Sequence, residues 1–368
     1  MCSNIGVHQK TIIGAMKAKK PNIQDVARTA RVSLSTVSAV LNDVDIVKEA
    51  TRQRVLAAIR QLNYHPDLYA SNLARRKTRT LGLIISDIVN PFFSETARSI
   101  EEQALACGYQ VALAETGFSP QRLRECVGQM IAMRVAGLAV MTSETDPETI
   151  KLLRSQAVPT VFLDVGDVGA TMSNLRVDTG GGMFQAVHHL LQLGHSKILF
   201  VKNSPRRLES ELLSHRMRRE GFTAALRKVR GDGVEGVVID EPGDALNAGV
   251  NAMRQSLRKI PFTAVVAMND SVAVGVCRGL FEASMKVPTD VSVVGFDNTG
   301  ICEFLNPPLT TVDIPRRSLG RIVVSTLVNG AEKQAPGQEL LLATQLIVRE
   351  STAAPVRRSR NNRPFKKE

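Results

Sequence analysis

From Thr80 onward, short runs of apolar and often β-branched residues alternate with longer stretches of helical periodicity. Runs that are apolar on both faces are typical of parallel strands that helices cover on both sides. The predicted strands are residues 80–88, 109–116, 137–143, 160–165, 197–203, 264–270 and 291–298. The predicted helices between them are residues 91–108, 120–134, 181–193, 212–229, 245–259 and 270–285. About 270 residues of such repeats are too many for one small sheet, which predicts an α/β architecture with two lobes.

The sequence before these repeats has a different pattern, which starts with IQDVARTARVSLSTVSAVLN. Asn22 and Asp25 have the spacing of a capping box at the start of a first helix. Ser33 is suited to cap a second helix, and a third amphipathic helix follows within residues 47–64. The narrow apolar stripes of these helices predict a minimal three-helix core over residues 21–64.

The exposed side of the second predicted helix carries short side chains near its N-terminal end. A helix N-terminus presents free N–H groups and a partial positive charge that favour phosphate, and short hydroxyl side chains let it approach a DNA groove closely. Packing alone would also explain such a pair of helices, because amphipathic pairs are common. The residues expected to contact DNA are Ser33, Leu34, Ser35, Thr36, Ser38, Ala39 and Asn42.

The positive charge of the chain is concentrated at its two ends. Residues 1–80 contain 14 Lys and Arg against 5 Asp and Glu, and residues 355–368 contain 6 against 1, in a chain whose formal net charge is +12. The body between them is close to neutral. This distribution indicates that the ends meet a polyanion, although solubility alone is an equal explanation for the C-terminal tail.

Several classes of protein lack their sequence signatures here. No apolar stretch approaches the ~20 residues that span a bilayer, and the N-terminus has no signal-peptide core, so we expect a cytoplasmic protein without a membrane partner. The five cysteines are scattered without a C-x-x-C pair, so neither a metal site nor a disulfide framework is expected. No P-loop, nucleophile elbow or dinucleotide fingerprint occurs, so we expect neither an enzyme nor a cofactor.

Three motifs, IQDVARTARVSLSTVSAVLN, LNYHPDLYASNLARRKT and LGLIISDIVNPFF, occur in this order and together resemble the LacI/GalR family of transcription regulators. The resemblance runs from about Pro21 to Ser351. It implies a repressor that binds a pseudo-palindromic operator in double-stranded DNA as a homodimer and is controlled by a small-molecule effector. It also implies a core like that of periplasmic sugar-binding proteins, so a sugar or sugar derivative is the expected effector.

The same resemblance implies a division of the chain. The expected segments are a basic disordered arm at 1–20, a helix-turn-helix head at 21–64, a hinge helix and linker at 65–79, an effector-binding core at 80–353 and a basic tail at 354–368. Within the core, the expected lobes are an N-lobe at about 80–177 and 313–341 and a C-lobe at about 178–312 and 342–353. Because the tail lacks leucine heptads, we expect a dimer and not a tetramer zippered through the tail.

Three positions in the head and hinge affect the expected readout of DNA. Leu73, in the hinge helix implied at Pro66–Arg76, matches the leucine that wedges into the minor groove, although a packed linker residue is the alternative. Arg31 stands at a turn position where relatives often carry Gly or Asn, and a positive φ there costs an arginine about 1 kcal/mol. Ala39 stands where many relatives carry Arg or His, so we expect direct readout of one guanine to be lost.

Polar residues at the ends of the predicted core strands form the expected effector site. Parallel strands bring their carboxyl ends to one edge of a sheet, where ligands bind. Asp and Asn accept hydrogen bonds from hydroxyl groups, and Arg supplies a planar fork of donors. Ala245 stands where better-known relatives carry Phe or Trp, which leaves room for a larger ligand or for another side chain. The effector residues implied by strand ends and by resemblance are Asp87, Asn90, Phe92, Phe93, Ser143, Asp164, Arg218, Asn269 and Asp297.

The same residues also have structural interpretations. An Asp at a strand end often caps the next helix, which is the leading interpretation of Asp270, and at least one of Phe92 and Phe93 is expected to pack in the core. Two other functions stay open at this point. A sugar-binding protein without a DNA role conflicts with the basic head and the missing signal peptide, and an oxidoreductase conflicts with the missing fingerprint.

Overall fold

A computed structural model describes residues 21–41, 45–64, 78–142, 144–166, 168–204, 212–228 and 233–356. The chain divides into two compact units, and the division falls between Lys77 and Thr78. The arm predicted at 1–20, most of the linker predicted at 65–79 and the tail from residue 357 onward lie outside the described residues.

The first unit contains the helices α1 (Ile23–Ala30), α2 (Leu34–Leu41) and α3 (Glu49–Leu62). The predicted capping box starts α1. The Asn22 side chain accepts a hydrogen bond from the Asp25 N–H at 3.1 Å, and the Asp25 carboxylate accepts one from the Asn22 N–H at 3.0 Å. Val26, Val37 and Val55, one from each helix, are fully buried and form the centre of a small apolar core.

The turn between α1 and α2 follows from its own residues. Arg31 ends α1 in the left-handed conformation, with φ 53° and ψ 52°. The Arg31 N–H donates a hydrogen bond to the Arg28 carbonyl at 3.2 Å, which closes the turn. The left-handed backbone costs a residue with a side chain about 1 kcal/mol. Ser33 then caps α2 as predicted, because its Oγ accepts from the Thr36 N–H at 3.1 Å.

The second unit is built from strands and helices that alternate along the chain. The strands are β1 (Thr80–Ile85), β2 (Gln110–Glu115), β3 (Gly137–Met141), β4 (Thr160–Leu163), β5 (Ser173–Val177), β6 (Lys197–Ser204), β7 (Glu235–Pro242), β8 (Ala264–Ala267), β9 (Ser292–Asp297), β10 (Thr310–Asp313), β11 (Glu339–Leu342) and β12 (Gln345–Ile347). The α-helices are α4 (Pro91–Ala106), α5 (Pro120–Ala132), α6 (Pro147–Gln156), α7 (Thr179–Gln192), α8 (Leu213–Lys228), α9 (Ala245–Ser256), α10 (Asp270–Glu282) and α11 (Arg316–Lys333). A short 3₁₀ helix, Gly300–Glu303, follows β9.

The strands of the described residues form two six-stranded sheets, and each sheet is the centre of one lobe. The N-lobe sheet has the order β11-β5-β4-β3-β1-β2 and is parallel, whereas the C-lobe sheet has the order β12-β10-β9-β8-β6-β7 and is parallel except for β12. Helices α4 and α11 pack together on the N-lobe sheet, and α7 to α10 cover the C-lobe sheet. The predicted two-lobed α/β fold is confirmed.

The described chain crosses between the lobes at three places: between β5 and α7, between β10 and α11, and between β11 and β12. The predicted elements did not include strands β5, β7, β10, β11 and β12 or helices α6 and α11. β5 (SNLRV) contains polar residues, and β7 (EGVVIDEP) is an edge strand with mostly exposed side chains. Neither strand is a continuous apolar run, which explains why the sequence pattern missed them.

Candidate functional site

A cavity of about 640 Å³ lies between the two lobes, at the carboxyl ends of their parallel strands. Every expected effector residue that the structure describes lines this cavity. These residues are Asp87, Asn90, Phe92, Phe93, Asp164, Arg218, Asn269 and Asp297. Ser143 lies outside the described residues, and its neighbour Thr142 lines the cavity. Residues that are far apart in sequence therefore converge on one site.

The N-lobe wall is formed by the loop after β1 and the start of α4. Asn90 caps α4, and its side-chain oxygen accepts from the Phe92 N–H at 3.1 Å. Asp87 Oδ1 accepts from the Val89 N–H at 2.9 Å, which fixes the turn before the helix. The Phe92 ring is buried and meets the half-buried Phe93 ring edge to face at 5.3 Å. Phe92 thus packs within the core, and Phe93 packs against the core while its half-buried ring lines the cavity.

The C-lobe wall is organised around Arg218, which projects from α8 and is only 8% exposed. Its Nη1 donates to the Met268 carbonyl at 2.6 Å, its Nη2 donates to Asp297 Oδ1 at 3.2 Å, and its guanidinium lies 4.0 Å from the centre of the Phe296 ring. These contacts fix the guanidinium plane. Arg218 Nε is buried and has no hydrogen-bond partner among the described residues, so one donor remains available.

Two cavity carboxylates sit on unusual backbone and in a poorly solvated environment. Asp164 has φ 49° and Asp297 has φ 106°, both in the region that favours glycine. Burial raises the pKa of the Asp164 carboxyl to about 6, against the effect of a 2.7 Å hydrogen bond from the Val177 N–H. Burial also raises the pKa of the Asp297 carboxyl, and the Arg218 guanidinium opposes this. Burial therefore disfavours the charged form of both carboxyl groups.

The start of α10 corrects one prediction. The helix cap is Asn269, whose side-chain oxygen accepts from the Val272 N–H at 2.9 Å, so the prediction that Asp270 is the cap was wrong. Asp270 is instead buried behind the cavity wall, where it accepts hydrogen bonds from the Thr299 N–H at 2.7 Å and the Thr311 hydroxyl at 2.6 Å. Capping and cavity lining are not exclusive, because Asn90 and Asn269 do both.

The cavity also contains residues that the sequence reasoning missed. They include Phe118, Thr142, Asn203, Leu212, Ser214, His215, Asp244, Leu246 and Ser271. The strand-end rule that selected Asp87 also applies to Thr142 after β3 and to Asn203 at the end of β6, so these two residues were accessible from the sequence. Ser214 and His215 lie inside α8, where no strand end marks them. Ala245, the expected small residue, lines the cavity at the start of α9.

In the first unit, the N-terminal end of α2 presents hydroxyl groups. Ser33, Leu34 and Ser35 are exposed, with Leu34 at 46%, whereas Thr36, Ser38 and Ala39 are half-buried. The Ser33 hydroxyl is 2.8 Å from those of both Ser35 and Thr36, so the three groups form one cluster. Asn42 and Leu73 lie outside the described residues.

The described part of the chain lacks two other kinds of feature. No group of three or more His, Cys, Asp or Glu side chains there has an arrangement suited to a metal ion. No helix there is both long enough and apolar enough to cross a membrane.

Both units match known protein families. The family model of the bacterial regulatory proteins, lacI family, matches residues 22–67, and that of the periplasmic binding protein-like domain matches residues 187–352. The ribose operon repressor of Escherichia coli strain K12 is 32% identical over 334 residues, which cover 90% of this chain and 99% of that protein. The transcriptional repressor PurR of Photobacterium profundum is 31% identical over 331 residues, which cover 89% and 98%.

Solved structures agree with these sequence matches. A lac repressor dimer bound to operator and the anti-inducer ONPF is similar with a TM-score of 0.77 at 29% identity, over 91% of this chain and 100% of that chain. A LacI family transcriptional regulator from Enterococcus faecium with bound ribose is similar with a TM-score of 0.67 at 28% identity, over 75% and 99%. The chain therefore belongs to the lacI family of bacterial regulatory proteins, which are DNA-binding transcription regulators.

Proposed function

We propose that the chain is a repressor that binds a pseudo-palindromic operator as a dimer and responds to a small sugar or sugar derivative in the interlobe cavity. The observation that carries this proposal is the convergence of eight residues from both lobes on one cavity of about 640 Å³. Seven of them lie at strand ends or helix starts, and the eighth, Arg218, lies within α8. A ligand there touches both lobes at once, which is the geometry that links binding to lobe arrangement.

The donors and acceptors of the cavity fit a ligand rich in hydroxyl groups. Asp87 and Asp164 each use one carboxylate oxygen within the protein, so the other oxygen is an acceptor for a ligand. Asn90 and Asn269 use their side-chain oxygens as helix caps, which leaves their NH₂ groups as donors. A hydroxyl group both donates and accepts, so a polyol satisfies both kinds of group. The half-buried Phe93 ring offers an apolar face to the C–H side of a sugar ring.

Ribose is the first compound to test, because one relative is named a ribose operon repressor and one similar structure contains ribose. The cavity walls belong to lobes that three chain crossings join, so a ligand that bridges the walls stabilises one arrangement of the lobes. By thermodynamic linkage, an inducer binds the DNA-free protein more tightly, and a corepressor binds the DNA-bound protein more tightly.

The proposed DNA contacts come from the N-terminal end of α2 and, by resemblance, from Asn42 and Leu73. A dimer matches the two-fold symmetry of a pseudo-palindromic operator. The C-lobe has exposed aromatic side chains that fit a protein interface: Phe281 is 72% exposed and Phe304 is 83% exposed. We propose that these two side chains contribute to pairing of two chains.

Fluorescence anisotropy of labelled DNA from upstream of the coding region tests the proposal. The protein is titrated with and without D-ribose and related sugars. We expect the protein to stay bound in the presence of bulk competitor DNA, and we expect one of the sugars to change its affinity for DNA.

Arg218→Ala should abolish the sugar response and leave DNA binding intact. Leu73→Ala should weaken DNA binding and leave sugar binding intact. Arg216→Ala, at an exposed position near Arg218, should behave as wild type. Failure to distinguish any upstream fragment from competitor DNA would overturn the proposal.

Sedimentation equilibrium tests the dimer separately. We expect a mass close to two chains, and Phe304→Asp should shift it toward one chain. Val348→Asp changes another exposed apolar residue, at 56% exposure, and should leave the mass unchanged. A mass near four chains, or an unchanged mass in Phe304→Asp, would contradict the proposed pairing.

A further inference from the structure

Side chains also connect the two lobes beside the three chain crossings, and Glu95 is at the centre of this connection. Glu95 projects from α4 of the N-lobe. Its Oε1 accepts a hydrogen bond from the Gly300 N–H of the C-lobe at 2.8 Å, and its Oε2 pairs with Arg316 Nε at 2.9 Å. One carboxylate thus holds a backbone group of the opposite lobe and a guanidinium of its own lobe.

Arg316 begins α11 and extends the connection to the end of β9. Its Nη1 and Nη2 donate hydrogen bonds to the backbone carbonyls of Asp297 and Asn298. Both of these residues have positive φ, 106° and 53°. The Asn298 side chain is fixed as well, because it donates to Asp313 Oδ1 at 2.9 Å and accepts from Arg349 Nη2 at 2.9 Å. A left-handed backbone of this kind persists only where its surroundings hold it.

The segment held by Arg316 is the one that presents the Asp297 carboxylate to Arg218 at 3.2 Å. The helix that carries Glu95 is the one whose start supplies Asn90 and Phe93 to the opposite wall of the cavity. Glu95 and Arg316 do not line the cavity themselves. The pair of side chains connects the two cavity walls on the side away from the cavity. There the Arg316 side chain is 17% exposed and the Glu95 side chain is 34% exposed.

We propose that Glu95 and Arg316 form an interlobe clasp that positions Asp297 and holds both cavity walls together. They are positioning residues and not effector contacts. Because the clasp fixes both walls, a ligand does not have to supply that ordering, which favours tight binding. This inference goes beyond the proposed function, since it rests on contacts within the second unit and not on the identity of the effector or operator.

Hydrogen exchange of the ligand-free full chain, followed by mass spectrometry, tests the clasp. In Glu95→Ala we expect the amides of residues 298–304 in the opposite lobe to exchange at least roughly tenfold faster, the size expected when hydrogen bonds to charged groups are lost. In Arg316→Ala we expect faster exchange on both walls, at residues 88–95 and at 298–304. A merely local role of Glu95 would change exchange within α4 alone.

Matched controls lie on the same two helices. Glu101 on α4 and Arg317 on α11 are exposed, and their side chains make no ion pair or hydrogen bond within the described structure, so Glu101→Ala and Arg317→Ala should exchange as wild type. The double variant Glu95→Ala/Arg316→Ala should show less than the product of the two single effects, because the residues act through each other.

Arg316→Lys keeps the positive charge but lacks the planar set of guanidinium N–H donors. This variant replaces Arg316→Ala in the experiment if Arg316→Ala fails to fold. We expect it to show the faster exchange at residues 298–304, because an ammonium group does not hold two carbonyls and Glu95 in one plane. Wild-type exchange at 298–304 in both Glu95→Ala and Arg316→Lys, or equal changes in the control variants, would overturn the proposal. No DNA or sugar is present in these experiments, so they are independent of the proposed function.

Discussion

The first unit and the interlobe cavity differ in how the sequence encodes their candidate functional residues. The exposed hydroxyl cluster of the first unit comes from one helix start, Ser33, Ser35 and Thr36, within four consecutive residues. The cavity takes residues from Asp87 to Asp297, which only the two sheets bring together. Local sequence rules therefore predict the cap and the hydroxyl cluster at the start of α2, whereas the cavity requires the fold. The comparison also predicts different sensitivities: caps and turns matter most in the first unit, and buried charge matters most in the second.

The most severe test of this comparison is removal of the buried charge. Arg218→Ala leaves Asp297 buried without its cationic partner, and breaking a buried ion pair costs about 3–5 kcal/mol. We expect the free energy of unfolding of the second unit to fall by about 3 kcal/mol, at the lower end because Asp297 is able to take up a proton. Urea unfolding monitored by circular dichroism measures this, and hydrogen exchange in α1 to α3 should not change.

Arg216→Ala is the matched control, since Arg216 is an exposed residue of the same helix. We expect its free energy of unfolding to stay within about 0.5 kcal/mol of wild type. An equal loss in both variants would show that the helix, and not the buried pair, is the sensitive element.

The pH dependence of the free energy of unfolding tests the role of buried charge in the second unit through a smaller effect. The folded-state pKa of Asp164 is raised to about 6, so the folded protein binds this proton more tightly than the unfolded chain does. Its contribution to stability is therefore full at low pH and is lost as the pH rises through about 6. Between about pH 4 and pH 7, wild type should lose about 2 kcal/mol relative to Asp164→Asn in urea unfolding. Parallel profiles for the two proteins would contradict this expectation.

In the first unit, a cap variant should produce an effect of about 1 kcal/mol. Asn22→Ala removes the acceptor for the Asp25 N–H and breaks the capping box of α1. Faster hydrogen exchange of the α1 amides in the full chain measures the loss. Thr29→Ala, at an exposed position of the same helix, is the control. If Thr29→Ala accelerates exchange as much as Asn22→Ala does, the cap is not the source of the stability.

The smallest expected effect has the opposite sign. Arg31→Gly replaces a residue at φ 53° with the one that favours this backbone, so the first unit should gain about 0.5 kcal/mol. Slower exchange of the α1 amides should report it. Arg28→Gly, within the same helix, should instead destabilise the unit by about 1 kcal/mol. A loss of stability in Arg31→Gly would mean that its side chain makes a contact worth more than the strain.

How well the sequence predicts each feature depends on how far apart in sequence the interacting residues are. Asn22 and Ser33 were predicted as caps because a cap depends on residues three positions away. The residues at strand ends were predicted as a cavity because parallel strands share one edge. The clasp was not predicted, because Glu95 meets Gly300 and Arg316 only after the chain has crossed between lobes. No local pattern marks such a pair.

The exchange of strands between the two sheets has a consequence for synthesis on the ribosome. In chain order, the last strand of the N-lobe sheet is β11 (Glu339–Leu342) and the last strand of the C-lobe sheet is β12 (Gln345–Ile347), so neither sheet is complete before these strands are synthesised. The three N-terminal helices are contiguous and complete near residue 64. A nascent chain is therefore able to fold its first unit early, while both lobes stay unfinished until residues 339–347 have left the exit tunnel.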